Sequence, residues 1–94
     1  MFKITLSCSG VPEKEGRVGA ADIVEELAHR PWHQNVQCLW QGGRLILHAE
    51  NDYDSDGRAL LDEFSDAIAA CIVAGVEGEI RVDSVVRSEE AKSG

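Results

Sequence analysis

Asp52, Asp54 and Asp56 occupy alternate positions ahead of Gly57, and Glu63 follows, so this segment fits the pattern D-x-[DN]-x-[DN]-G-x5-E. Such spacing is suited to a hard cation. Calcium takes six to eight oxygen ligands, and carboxylates at positions one, three and five, a glycine at the sharp turn and a bidentate glutamate at twelve supply them. In this chain those positions are Asp52, Asp54, Asp56, Gly57 and Glu63, and Arg58, at position seven, offers its backbone carbonyl. The same residues support a second expectation. An Asp-rich turn ahead of an apolar helix caps that helix, because its carboxylates accept from the free N–H groups of the first turn. The position of the helix start separates the two. A start at Asp56 carries Glu63 roughly 10 Å up the axis and out of reach, whereas a start near Leu60 leaves it in the first turn.

The segment Asp52 to Phe64 resembles the loop of the EF-hand family, including the pair Glu63-Phe64 that commonly opens that family's exiting helix. The resemblance covers about a dozen residues. It departs at position eight, where Ala59 stands in place of a branched aliphatic residue, and in the segment before the loop, which reads as a strand rather than a helix. What the resemblance implies is calcium as the one cofactor to expect.

Other chemistry-bearing residues are sparse. His29 and His33 are separated by Pro31, which prevents them from sharing a helical face as paired metal ligands. Cys8, Cys38 and Cys71 lack C-x-x-C spacing and fall on faces expected to be buried, which predicts reduced core thiols in a cytoplasmic protein. Neither a nucleophile elbow, a metalloprotease helix nor a phosphate loop occurs. The expectation is a protein that is not an enzyme.

The elements that must position these residues follow from periodicity. Phe2, Ile4, Leu6 and Cys8 alternate with polar residues, the period of two that marks a half-buried strand. After a loop from Gly10 to Gly16, Ala20, Ile23, Val24, Leu27 and Ala28 predict a helix from about Arg17 to His29. Val36, Cys38 and Trp40, then Gly42-Gly43, then Leu45, Leu47 and Ala49 predict a two-residue hairpin. Its register sets Trp40 against Leu45, Cys38 against Leu47 and Val36 against Ala49, with Leu39 against Ile46 and Gln37 against His48 on the opposite face. Leu60, Leu61, Phe64, Ala67, Ile68, Cys71 and Ile72 form the stripe of a second helix, which Gly75 and Gly78 are expected to end. Ile80, Val82 and Val85 or Val86 predict a last strand with a bulge.

This order predicts an α+β, ferredoxin-like βαββαβ two-layer sandwich: a four-stranded antiparallel sheet with both helices on one face. The first and third strands are expected at the centre, parallel to each other. One domain over residues 1–87 and a polar tail over 88–94 complete the expected organisation. The other sheet face stays open and carries Gln37, Leu39, Ile46 and His48 as an expected interaction surface. The order of elements also looks like that of the ACT regulatory domains, which implies an amino-acid ligand near the first strand–helix loop.

Charge narrows the partners. Asp and Glu outnumber Lys and Arg by 17 to 9, giving a formal charge of −8. That balance opposes a phosphate backbone, and the sheet lacks an aromatic platform for stacking bases, so nucleic acid is not expected. No stretch approaches membrane-spanning length. The expected partner is a second copy of the chain or another protein, with a basic surface favoured by the charge.

Overall fold

The computed structural model describes residues 1–72 and 78–87. Six elements follow one another: β1 (Phe2–Cys8), α1 (Glu13–Leu27), β2 (Gln34–Gln41), β3 (Arg44–Asn51), α2 (Arg58–Cys71) and β4 (Ile80–Arg87). The four strands make one sheet in the order β2-β3-β1-β4, and every neighbouring pair is antiparallel. This is the α+β ferredoxin-like arrangement. The expected parallel pairing of the two central strands is corrected, because β1 and β3 run antiparallel from Phe2↔Asn51 to Cys8↔Leu45. The tight hairpin reverses β3 relative to β2, and the crossover through α1 sets β2 parallel to β1, so β3 between them must oppose both.

One sheet face is apolar because alternate residues of the central strands point to it. Ile4, Leu6 and Cys8 of β1 and Leu45, Leu47 and Ala49 of β3 are buried there with Ala20, Ile23 and Leu27 of α1 and Leu60, Phe64, Ala67 and Ile68 of α2. The predicted stripe of α2 therefore holds, with Asp62, Asp66 and Ala69 exposed. Its C-cap is Ile72. Gly75 lies outside the described residues, as does the polar tail over 88–94.

The first helix begins four residues earlier than its periodicity suggests. Pro12 fixes φ at −63° immediately before it, Arg17 pairs with Glu13 across one turn at 2.8 Å, and Gly16 sits inside the helix rather than ending the loop. Gly16 is there for space. A methyl group at that position would meet the Trp40 ring, 2.8 Å from Cγ and 2.9 Å from Nε1. Trp40 donates its indole N–H to the Val11 carbonyl at 2.7 Å, and the Arg17 guanidinium lies over the ring at 5.2 Å. One glycine thus lets the helix settle onto the edge strand β2.

The hairpin register is the predicted one from Gln41↔Arg44 to Gln37↔His48, with Gly42 and Gly43 both at positive φ. The pairing of Val36 with Ala49 is corrected. The register slips beyond Gln37, so that Gln34 meets Glu50, and Asn35 takes φ 52° at the bulge. Strand β4 carries the expected bulge: Leu6 pairs with Val82 but Thr5 with Ser84, and Val85 rather than Val86 joins the core. Both edge strands are therefore kinked.

Candidate functional site

The open sheet face holds the predicted interaction residues together. Leu39 and Ile46 are direct cross-strand partners, as are Gln37 and His48, and β1 completes the surface with Lys3, Thr5 and Ser7. Leu39 is 43% exposed. Ile46 is half-buried, and Ser7, between Ile46 and Arg81, is covered by those longer neighbours. The result is a patch around Leu39 and Ile46 over a small central residue. Beside it lies a shallow depression of about 380 Å³ lined by Lys3, Thr5, Asn35, Gln37, His48 and Glu50, with Ile4 and Ala49. Two contacts order its walls: Thr5 Oγ1 with His48 Nδ1 at 2.9 Å, and Asn35 Nδ2 donating to Glu50 Oε2 at 3.1 Å.

Charge is distributed unevenly between the two layers. The helices and the turn over 52–56 hold eleven carboxylates against Lys14, Arg17 and Arg58, an excess equal to the chain's formal charge of −8. The strands themselves hold Lys3, Arg44, Arg81 and Arg87 against Glu50 and Asp83. On the open face of the sheet Lys3, Arg44 and Arg81 are matched by Glu50, Asp83 and, at the rim, Glu79.

The acidic turn is organised around backbone donors. Asp54 is buried and accepts from the N–H groups of Ala59 at 3.2 Å and Leu60 at 2.8 Å, while Asp56 accepts from Arg58 at 3.0 Å. Asn51 Oδ1 takes the N–H groups of Tyr53 and Asp54 at 3.2 and 2.9 Å. Helix α2 starts at Arg58, between the two starts considered from sequence, and Glu63 pairs with residues outside the loop. Its Oε1 meets Arg30 Nε at 2.8 Å and His33 Nε2 at 3.1 Å. Asp52, Asp54, Asp56, Arg58 and Glu63 therefore do not converge on one point. Among the described residues no group of three or more His, Cys, Asp and Glu is placed to hold a metal ion.

Sequence spacing did not reveal the cluster around His33. Its side chain is fully buried, with Nε2 against Glu63 and Nδ1 3.4 Å from Asn51 Nδ2. Because the Asn51 oxygen already accepts two backbone N–H groups, its amide nitrogen faces His33. Nδ1 is then the acceptor and Nε2 carries the proton toward Glu63. Trp32 meets the imidazole edge-on at 5.9 Å, and Tyr53 stacks on it at 6.4 Å. The Tyr53 phenol is pushed up by burial and by Glu63, Asp54 and Asp52, against a hydrogen bond with Trp32 that lowers it. The only local signal for this cluster is the Asx turn at Asn51, since Arg30 and His33 lie some thirty positions from Glu63.

Burial disfavours the thiolate form of the cysteines. Burial raises Cys8 and Cys71, and burial with the neighbouring Cys8 thiol pushes Cys38 up to about 12. Among the described residues no helix is long and apolar enough to cross a membrane. Comparison with known proteins adds no relative: no family model, no curated protein and no solved structure matches the chain.

Proposed function

We propose that the protein is a small non-enzymatic interaction module that pairs with a second copy of itself through the open face of its sheet. The observation that carries this reading is Leu39 beside Ile46 on the one sheet face that no helix covers. Charge bears on which face a copy would use. Two chains of formal charge −8 repel one another, and the balanced open face is where they approach with the least repulsion. The edges support face pairing over strand addition, because bulges in β2 and β4 break the continuous ladder that a new strand would need.

The size of the face bears on the test. Four strands about 4.8 Å apart and about seven residues long at 3.4 Å each present roughly 450 Å² in projection. A face of this size is small for a protein interface, so the association is sought at chain concentrations of about 10 µM to 1 mM. Light scattering across concentration tests this: the apparent mass rises toward twice 10.2 kDa, and Leu39→Asp returns it to the monomer value. A mass that stays at one chain throughout, or a dimer indifferent to Leu39→Asp, overturns the proposal. A cytoplasmic location belongs to the same reading, supported by three free thiols held in or against the core.

One observation favours a second reading, the sensing of a small polar molecule. The depression beside Leu39 and Ile46 offers donors and acceptors from Asn35, Gln37, His48 and Glu50. It does not include the Gly10 to Gly19 segment that the ACT analogy implies. Thermal shifts across an amino-acid panel support this reading if one ligand raises the melting temperature and His48→Ala abolishes the rise, and flat melts count against it.

A further inference from the structure

Trp32 and Tyr53 are 48% and 47% exposed, although each lies against the fully buried imidazole of His33. Large aromatics so near a core normally turn inward. Here the inward position is occupied by a polar assembly: His33 fixed between Glu63 and Asn51, and Asn51 fixed in turn by the Tyr53 and Asp54 N–H groups. The two outer rings are thereby left open to solvent over a hydrogen-bonded support.

The surroundings select the sign of a partner. Asp52 adjoins Tyr53 in the chain, and Asp54 and Glu63 act on its phenol. Arg30, two residues before Trp32, is engaged by Glu63 at 2.8 Å and Glu26 at 3.6 Å. Carboxylates beside the Tyr53 ring repel phosphates and anionic lipid headgroups. They favour a cation lying over a ring, with the Trp face the strongest acceptor. A planar guanidinium fits best, because it can stack on a ring while its N–H fork reaches a carboxylate such as Asp52.

We infer that the Trp32–Tyr53 end of the molecule docks a basic peptide segment of another protein, with an arginine side chain over the exposed rings and its charge toward Asp52. Trp32 precedes β2 and Tyr53 follows β3, so the surface lies at one end of the sheet and leaves Leu39 and Ile46 free for self-pairing. The site does not depend on dimerisation.

The test is a ¹⁵N NMR titration of the full chain with an (Arg-Gly)4 peptide and with its citrulline counterpart, which keeps the shape and removes the charge. The arginine peptide is expected to shift the Trp32 indole and Tyr53 amide signals and leave the Trp40 indole unmoved. Trp32→Ala and Tyr53→Ala should each weaken binding about tenfold, Asp52→Asn about threefold, and the citrulline peptide should not bind. Thermal melts of each variant show that the fold persists, and Tyr53→Ala serves if Trp32→Ala does not fold. Shifts spread over the helical carboxylates with unchanged affinity in both aromatic variants overturn the inference, as does the absence of binding at millimolar peptide.

Discussion

Replacing Gly16 by alanine separates local propensity from packing. On propensity, alanine inside α1 stabilises by about 1 kcal/mol, since glycine loses the most backbone freedom on folding. On packing, the new methyl group sits 2.8 Å from Trp40 Cγ and 2.9 Å from Nε1 and closer still to Cδ1, well inside contact distance. Either the helix lifts or the indole moves. If the indole moves, it gives up the 2.7 Å hydrogen bond to the Val11 carbonyl and the Arg17 contact above the ring. Overpacking of this kind costs about 1–3 kcal/mol, and the lost hydrogen bond about 1 kcal/mol more. Set against the propensity gain, the net expectation is a loss of about 2 kcal/mol. For a domain of this size that corresponds to a fall of roughly 8–16 °C in melting temperature. Thermal denaturation followed by circular dichroism measures it. The control is Gly16→Ala in a Trp40→Leu background, where the methyl group has room and the substitution becomes neutral or stabilising. A raised melting temperature for Gly16→Ala with Trp40 intact would refute the packing argument.

Other perturbations follow from the same geometry. Asp54→Ala removes the acceptor of two N–H groups at the start of α2 and should cost about 1–2 kcal/mol. Because Asp54 and Glu63 are already committed to backbone and to Arg30 and His33, melts in calcium and in chelator should coincide. A rise in calcium that disappears in Glu63→Gln would restore the cation site. Asn51→Leu leaves two backbone donors and the His33 ring without their partner at a fully buried position, and should destabilise by about 3 kcal/mol in urea titration. The Cys38 thiol, raised from 9.0 to about 12, favours its protonated form in the fold. Its contribution to stability is complete below the unfolded value of 9.0 and is lost as pH rises through about 12. Melting temperatures should fall across that window less steeply in Cys38→Ala, and identical slopes would refute the assignment.

Much of the fold is written in local pattern. The Gly42-Gly43 pair and the alternation on either side allow only one hairpin register, because a one-residue slip exposes Leu45 and Leu47. The stripe of α2 is equally plain from Leu60 to Ile68. What periodicity cannot express is why an exception exists. Gly16 resembles a loop breaker until Trp40, on another element, is known to occupy the space beside it. Asn35 lies just ahead of the alternation that begins at Val36, yet its left-handed backbone marks the bulge where the register slips between Gln34 and Gln37. The direction of the central pair follows from topology rather than from any residue. The site shows the same division. Leu39, Ile46, Gln37 and His48 share a face because strand alternation is local. Glu63 has the spacing of a loop ligand, but its partners Arg30 and His33 arrive from the connection between α1 and β2.

Self-pairing through the open face is tested most directly by sedimentation velocity over about 10 µM to 1 mM for the wild type, Leu39→Asp and Val18→Asp. Val18 is exposed on α1, so its substitution adds the same charge to the opposite layer. Self-pairing requires a sedimentation coefficient that rises with concentration in the wild type and in Val18→Asp and stays at the monomer value in Leu39→Asp. A wild type that remains monomeric throughout, or three proteins that behave alike, would contradict it.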